Sequence, residues 1–167
     1  SPIDLPPFAN SAMDGYAVVA AAIAAATASA PVRLVVVARI AAGHAPSARF
    51  RGVRRGHAAR IMTGAPIPPG ADAVVKFEDT QTPHDGAIDI LLPMSPGGNI
   101  RQPGEDIVAG RLALRAGTLL GPAALGLLAA LGRAVVPCVR RPRVAVIATG
   151  DEIVAPGQPL PPGGIYD

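Results

Sequence analysis

The chain has 167 residues, 19 of them Gly and 19 Pro, a share of helix-breaking residues roughly twice the usual one, which disfavours long helical bundles and coiled coils. Half of the residues are hydrophobic but only 3% are aromatic, with no Trp, so any core is assembled from many small contacts of about 0.8 kcal/mol per buried methylene. A formal charge of +3, with 16% charged residues and a mean hydropathy of +0.37, lies far from the composition of disordered segments; without aromatic platforms, binding to single-stranded nucleic acid is not expected either. The length fits one domain or two small ones.

Residues 1–10 are Pro-rich and read as extended, because each Pro fixes its own φ and biases the residue before it toward β geometry. Residues 16–20 read as a short strand, and residues 21–30 as either an Ala-rich helix or a loop. The β-branched run 33–40 predicts a strand ending near Gly43. Further strands are expected over 60–62, 73–77, 88–92 and 112–114, separated by Pro- and Gly-rich turns, which makes a β-rich module. Pro122 and Gly132 bracket the best helix, with Leu125, Leu128 and Leu131 recurring inside it. After the polar break Arg140-Arg141-Pro142-Arg143, the uninterrupted apolar run 144–148 reads as a parallel strand buried on both faces, the usual opening of an α/β domain. About 20 residues follow, too few to complete such a domain.

Cys138 is alone in an apolar stretch and reads as a small core residue; it permits neither a disulfide framework nor a Cys-based metal site. His44, His57 and His84 lack the spacing of zinc ligands, so any metal would be held by oxygen. No signal-peptide pattern opens the chain, and the apolar stretches at 15–32 and 118–131 are too weak or too short for a membrane span. A soluble, cytoplasmic protein is expected.

Three segments are candidates for chemistry. In Ser11-Ala12-Met13-Asp14-Gly15-Tyr16, small neighbours and a Gly with access to positive φ would present the Asp14 carboxylate at a turn leading into a strand; an ordinary Asp-Gly turn explains the same residues. In residues 60–72, a strand delivering Thr63 into Gly64 would bring a hydroxyl together with unpaired N–H groups able to bind an oxyanion, or would simply be a rigid Pro-rich loop. Thr149-Gly150-Asp151-Glu152 follows the expected parallel strand at the end where open α/β sheets bind ligands. Asp151 and Glu152 there would hold a divalent cation or accept from a ligand's donors, or face solvent. Glu105 and Asp106 read as structural, in a turn between strands. Arg49, Arg51, Arg54, Arg55, His57 and Arg60 either attract anions or guard an edge strand with charge.

Five blocks in this order, LPPFANSAMDGYAV (residues 5–18), AAGHAP (41–46), ARIMTGAPIPPGADAVV (59–75), GNIRQPGEDIVAG (98–110) and RRPRVAVIATGDEIV (140–154), resemble the MoeA family of molybdopterin molybdenumtransferases, related to the gephyrin E domain. The resemblance implies a mainly β amino-terminal region of coiled and bifurcated sheets with an inserted domain, followed by the truncated first strand of an α/β pterin-binding domain. It divides the chain into residues 1–14 plus 99–141 as an elongated linker and dimer domain, 15–98 as the inserted β-rich domain, and 142–167 as the start of the α/β domain. It also implies insertion of molybdate into adenylylated molybdopterin with release of AMP, dependence on a divalent metal with magnesium the expected ion, and a homodimer.

Carried over residue by residue, the resemblance makes Asp14, Thr63 and Glu152 catalytic and Thr63, Gly64 and Asp151 substrate- or cofactor-binding, with Asp14 and Thr63 facing a partner chain's Glu152. No metal ligand set follows from it. Other molybdenum-cofactor biosynthesis proteins are further partners it allows; nucleic acid and membrane are not expected on composition. The departures are Ala9, where the family often has Asp, a bland Ala-rich stretch over residues 20–30, and an end at Asp167 that omits the family's later domains. On that ground the 167-residue chain is expected to be inactive alone, and the alternative to an enzyme fragment is a non-catalytic scaffold or dimerisation module of the gephyrin E type.

Overall fold

The computed structural model describes residues 1–44, 47, 50–84 and 86–167. Arg49 of the arginine cluster, and Ala45 and Pro46 of the AAGHAP block, lie outside the described residues. The chain divides into two units, Ser1–Ala134 and Val135–Asp167.

The first unit is built on a six-stranded sheet curled into a half-barrel. Its strands are β2 (Gly15–Val18), β3 (Val32–Ile40), β4 (His57–Ile61), β5 (Ala73–Lys76), β6 (Thr80–Gln81) and β7 (Ala87–Ile90), in the spatial order β5-β2-β4-β3-β7-β6. A two-residue strand β1 (Asn10–Ser11) pairs separately with β8 (Ile100–Arg101). Only β3 and β4 run parallel within the large sheet; the connection 41–56 has the length that a parallel crossover requires. The other neighbours are antiparallel.

Because successive side chains on a strand point to opposite faces, the sheet carries two cores. Tyr16, Val18, Leu34, Val75, Ile88 and Ile90 lie on one side; Ala17, Ile40, Ala59, Ile61 and Val74 lie on the other. Many of these are Val and Ala, as the composition requires, and the larger Ile and Leu side chains each gain about 1.5–3 kcal/mol on burial. The residues after β2 are neither a full helix nor an open loop. They form one 3-10 turn, Ala20–Ala22, followed by bends that seat Ile23 and Ala26 in the first core. The Asp72 carboxylate accepts from Ala20 N–H at 2.6 Å and pins the start of this turn.

Across β3 and β7, Arg33 faces Asp89 in register and donates two bonds to it, at 2.7 and 2.8 Å. The guanidinium holds the Asp89 carboxyl below its usual range. Glu105 and Asp106 both engage Arg101, at 3.4 and 2.6 Å, and Gln102 N–H donates to Glu105, the structural role expected of that turn.

Helix α1 (Pro122–Ala130) begins on Pro. It ends with Gly132 at φ +69°, where Gly132 N–H reaches Ala129 O and Arg133 N–H reaches Leu128 O, a paired closure that satisfies the last carbonyls. Of its leucines only Leu131, just past the end, is buried. The strand expected over 112–114 is absent: this stretch lies among turns at Arg111 and Thr118 and among the described residues has no neighbouring strand to complete a ladder, and Leu112 is exposed.

The second unit holds a short parallel pair, β9 (Ile153–Val154) with β10 (Ile165–Tyr166). The apolar run 144–148 is not a strand there, and Val146 is 93% exposed. A parallel strand exists only where neighbours accept and donate its ladder bonds, and among the described residues nothing pairs with this run. Cys138, expected in a core, is exposed in the same unpaired stretch. No helix among the described residues is long and apolar enough to cross a membrane.

The first unit depends on a close approach at Gly15, where an added Cβ would collide with the Val75 carbonyl on β5. Gly15→Ala is therefore expected to lower stability by about 1–3 kcal/mol or more, the cost of overpacking a fitted site. Denaturant titration followed by circular dichroism measures it.

Candidate functional site

Gly15 pairs with Ile61 on one side and Lys76 on the other. Followed one step past the end of β2, the β2–β4 ladder sets Asp14 beside the turn that leaves β4, and Thr63 stands in that turn. Asp14 Oδ1 accepts two bonds from this one residue, from Thr63 N–H and from the Thr63 hydroxyl, each at 2.7 Å. These bonds, the backbone one foremost, draw the Asp14 carboxyl below its ordinary value, because donors favour the charged form.

The backbone around Asp14 is held as well. Phe77 N–H donates to Asp14 O at 3.2 Å, and the buried Ser11 hydroxyl bonds Met13 O at 2.5 Å. Ser11 also accepts at its carbonyl from Gly64 N–H at 2.8 Å, while its own N–H donates to Ala65 O. Gly64 needs its φ of +79° to make this turn, a conformation that side chains disfavour. Gly15, by contrast, is required for close packing and not for a positive φ, a correction to the turn expected at Asp14-Gly15. Ser11 was missed as a positioning residue; its place three residues before the carboxylate, in a run of small residues, was the available signal.

The unpaired N–H groups expected near Thr63 are not unpaired. Thr63 N–H goes to Asp14, Gly64 N–H to Ser11, and Ala65 N–H to Met62 O at 3.0 Å. The turn thus presents an exposed carboxylate clasped by a hydroxyl instead of an open oxyanion hole. An anion meeting Thr63 has to displace a bond to Asp14 and face its charge. A water, a proton or a cation meets a preorganised acceptor.

Asp14, Thr63 and Gly64 thus share one cluster in the first unit. Asp151 and Glu152 lie in the second, in the exposed turn that enters β9, where Ile165 N–H donates to Glu152 O at 2.8 Å. Their carboxylates make no hydrogen bond or ion pair among the described residues. Within the described residues no group of three or more His, Cys, Asp or Glu is assembled to hold a metal. Asp14 with Thr63 is too small a donor set for a hard divalent cation by itself.

The cluster gives a pH prediction. Since the folded-state pKa of Asp14 lies below its unfolded value, the clasp is complete above the ordinary carboxylate range and opens as pH falls through the lowered folded value. Thr63→Val removes the hydroxyl but keeps the larger backbone contribution. The Asp14 midpoint, followed by carboxyl carbon NMR, is expected to rise in that variant yet remain below the ordinary value.

A family model described as the MoeA N-terminal region, domains I and II, matches residues 1–132. Molybdopterin molybdenumtransferase 2 of Mycobacterium tuberculosis is 48% identical over all of this chain and 40% of its own length. The molybdopterin molybdenumtransferase of Haemophilus influenzae is 42% identical over all of this chain and 39% of its own. A crystal structure of a Pyrococcus horikoshii molybdopterin biosynthesis MoeA protein superposes with a TM-score of 0.81 at 36% identity, over 95% of this chain and 41% of that one. The chain therefore spans about two fifths of the length of these relatives.

Proposed function

The chain belongs to the MoeA family through its amino-terminal region, and on that premise we propose that it is part of a molybdopterin molybdenumtransferase of molybdenum-cofactor biosynthesis. The reaction is insertion of molybdate into the dithiolene of adenylylated molybdopterin with release of AMP. The observation that carries the reading on this chain is the Asp14–Thr63 clasp, which holds a carboxylate ionised and oriented on an exposed turn.

In this reading Asp14 and Glu152 position water or move protons, a task that needs a carboxylate fixed within hydrogen-bond reach of the reacting group. Thr63 sets the Asp14 carboxylate and exchanges its hydroxyl bond for one to substrate. Gly64 shapes the turn, and Asp151 stands beside Glu152 at the substrate. Both substrates are anions, so the carboxylates act on their protons and water instead of contacting their charge. The working protein is a cytoplasmic homodimer in which Asp14 and Thr63 of one chain meet Glu152 of the other. A divalent cation, magnesium by the resemblance, belongs to the same reading, and Asp14 with Thr63 is too small a donor set to hold it alone.

The division into residues 1–14 with 99–141, 15–98 and 142–167 belongs to the same reading. It is supported by the pairing of Leu5 with Ile107 and by the confinement of the six-stranded sheet between Gly15 and Ile90.

The test is a chimera in which this chain replaces the matching two fifths of the Mycobacterium tuberculosis relative, assayed for molybdenum insertion. Turnover is expected. Asp14→Asn and Glu152→Gln in the chimera are each expected to lower it by about 100-fold or more, the lower range for a positioned acid or base, with the circular dichroism spectrum unchanged. Full activity in both variants would sink the site assignment, and a folded dimer without turnover would favour the scaffold reading.

A further inference from the structure

The face of the sheet that carries the first core holds a hollow that the molybdenumtransferase reading does not use. It has a volume of about 340 Å³ and is lined by Tyr16, Arg39, Arg60 and Thr82 among others. A second hollow of about 240 Å³ shares Tyr16, Arg60 and Thr82 with it and adds Phe77 and Thr80. Among the described residues no Asp or Glu lines either one.

The sheet register puts the charges there. Arg39 on β3 is paired directly with Arg60 on β4, and Arg60 in turn with Tyr16 on β2. The three side chains therefore stand in one row on the face that carries Tyr16 and Ala58. Like charges directly opposite one another destabilise a sheet unless something compensates them. Arg33 and Arg101 are each matched to carboxylates. Neither Arg39 nor Arg60 has an ion pair or a hydrogen bond among the described residues, and the Tyr16 and Thr82 hydroxyls have no hydrogen-bond partner there either. Arg60 is nonetheless held, its guanidinium 5.1 Å from the centre of the Phe77 ring, which packs edge-on to Tyr16 at 5.3 Å. Two arginine and two hydroxyl-bearing side chains thus line one concave site that holds no carboxylate among the described residues, and guanidinium forks match tetrahedral oxyanions.

We propose that this hollow binds a tetrahedral dianion between Arg39 and Arg60, with the Tyr16 and Thr82 hydroxyls as further donors. The shared chemistry is that of a free inorganic oxyanion and of a phosphate monoester. An aromatic monoester would also meet the Tyr16 and Phe77 rings.

The test is calorimetric titration of the 167-residue chain with inorganic phosphate and with phenyl phosphate, at constant ionic strength and against chloride, alongside NMR of the arginine Nε–Hε groups. Saturable one-site binding is expected, with the Arg39 and Arg60 signals shifted. Arg39→Gln and Arg60→Gln should each weaken binding by roughly tenfold or more, the factor that one lost charge-assisted contact of about 1.4 kcal/mol gives, while Arg133→Gln leaves it unchanged. Circular dichroism of each variant checks that the fold is kept; Arg39, which is exposed, is the safer of the two. Tighter binding of phenyl phosphate identifies a monoester site, and equal binding a free-oxyanion site. Binding no different from chloride, or unchanged in both arginine variants, overturns the proposal.

Discussion

The structure depends on how closely two backbones approach at Gly15. β2 is paired on both sides, and at its first residue the Val75 carbonyl occupies the space that any side chain would need. This contact sets the position of β2 against β5 and, through the ladder to β4, the position of Asp14 against the turn at Thr63. The carboxylate owes its geometry to strand register as much as to its own turn. Ser11 and Phe77 then fix the backbone on either side of it.

That arrangement shapes the chemistry available. A carboxylate that accepts from both the N–H and the hydroxyl of one residue is ionised and aimed, but its donors are already engaged. The turn is therefore suited to handling water and protons and poorly suited to cradling an anion. Arginines without a carboxylate partner among the described residues stand instead on the sheet face, where Arg39 and Arg60 are in register. One sheet thus carries a negative centre at a strand end and a positive hollow on its face, both set by the pairing of β4 with its neighbours.

Much of the fold was legible because its signals are local. The β-branched run at 33–40 became β3, and Pro122 and Gly132 delimited α1 within two residues, since proline and glycine act on the φ of their own positions. The segments misread were those whose state depends on distant partners. The run 144–148 has the composition of a buried strand but no ladder partner among the described residues, and residues 112–114 are likewise unpaired there. The Ala-rich stretch after β2 was undecided by pattern because the burial of Ile23 and Ala26 and the bond from Ala20 N–H to Asp72 come from elements far along the chain. At the Asp14 turn, Asp14, Thr63 and Gly64 were singled out by motif, whereas the role of Ser11 and the satisfaction of the Thr63, Gly64 and Ala65 N–H groups were not.

The sequence by itself determined a β-rich chain with small-residue cores, the place of α1, and a family identity carried by five ordered blocks, all encoded in residue type and order. Only the tertiary structure decided that Asp14 and Thr63, 49 residues apart, share one hydrogen-bonded cluster, and that Arg39 and Arg60 face the same hollow. Strand register makes these pairings, and a one-residue slip would send every side chain of a strand to the opposite face; the sequence around each residue alone does not specify which register the long-range packing selects.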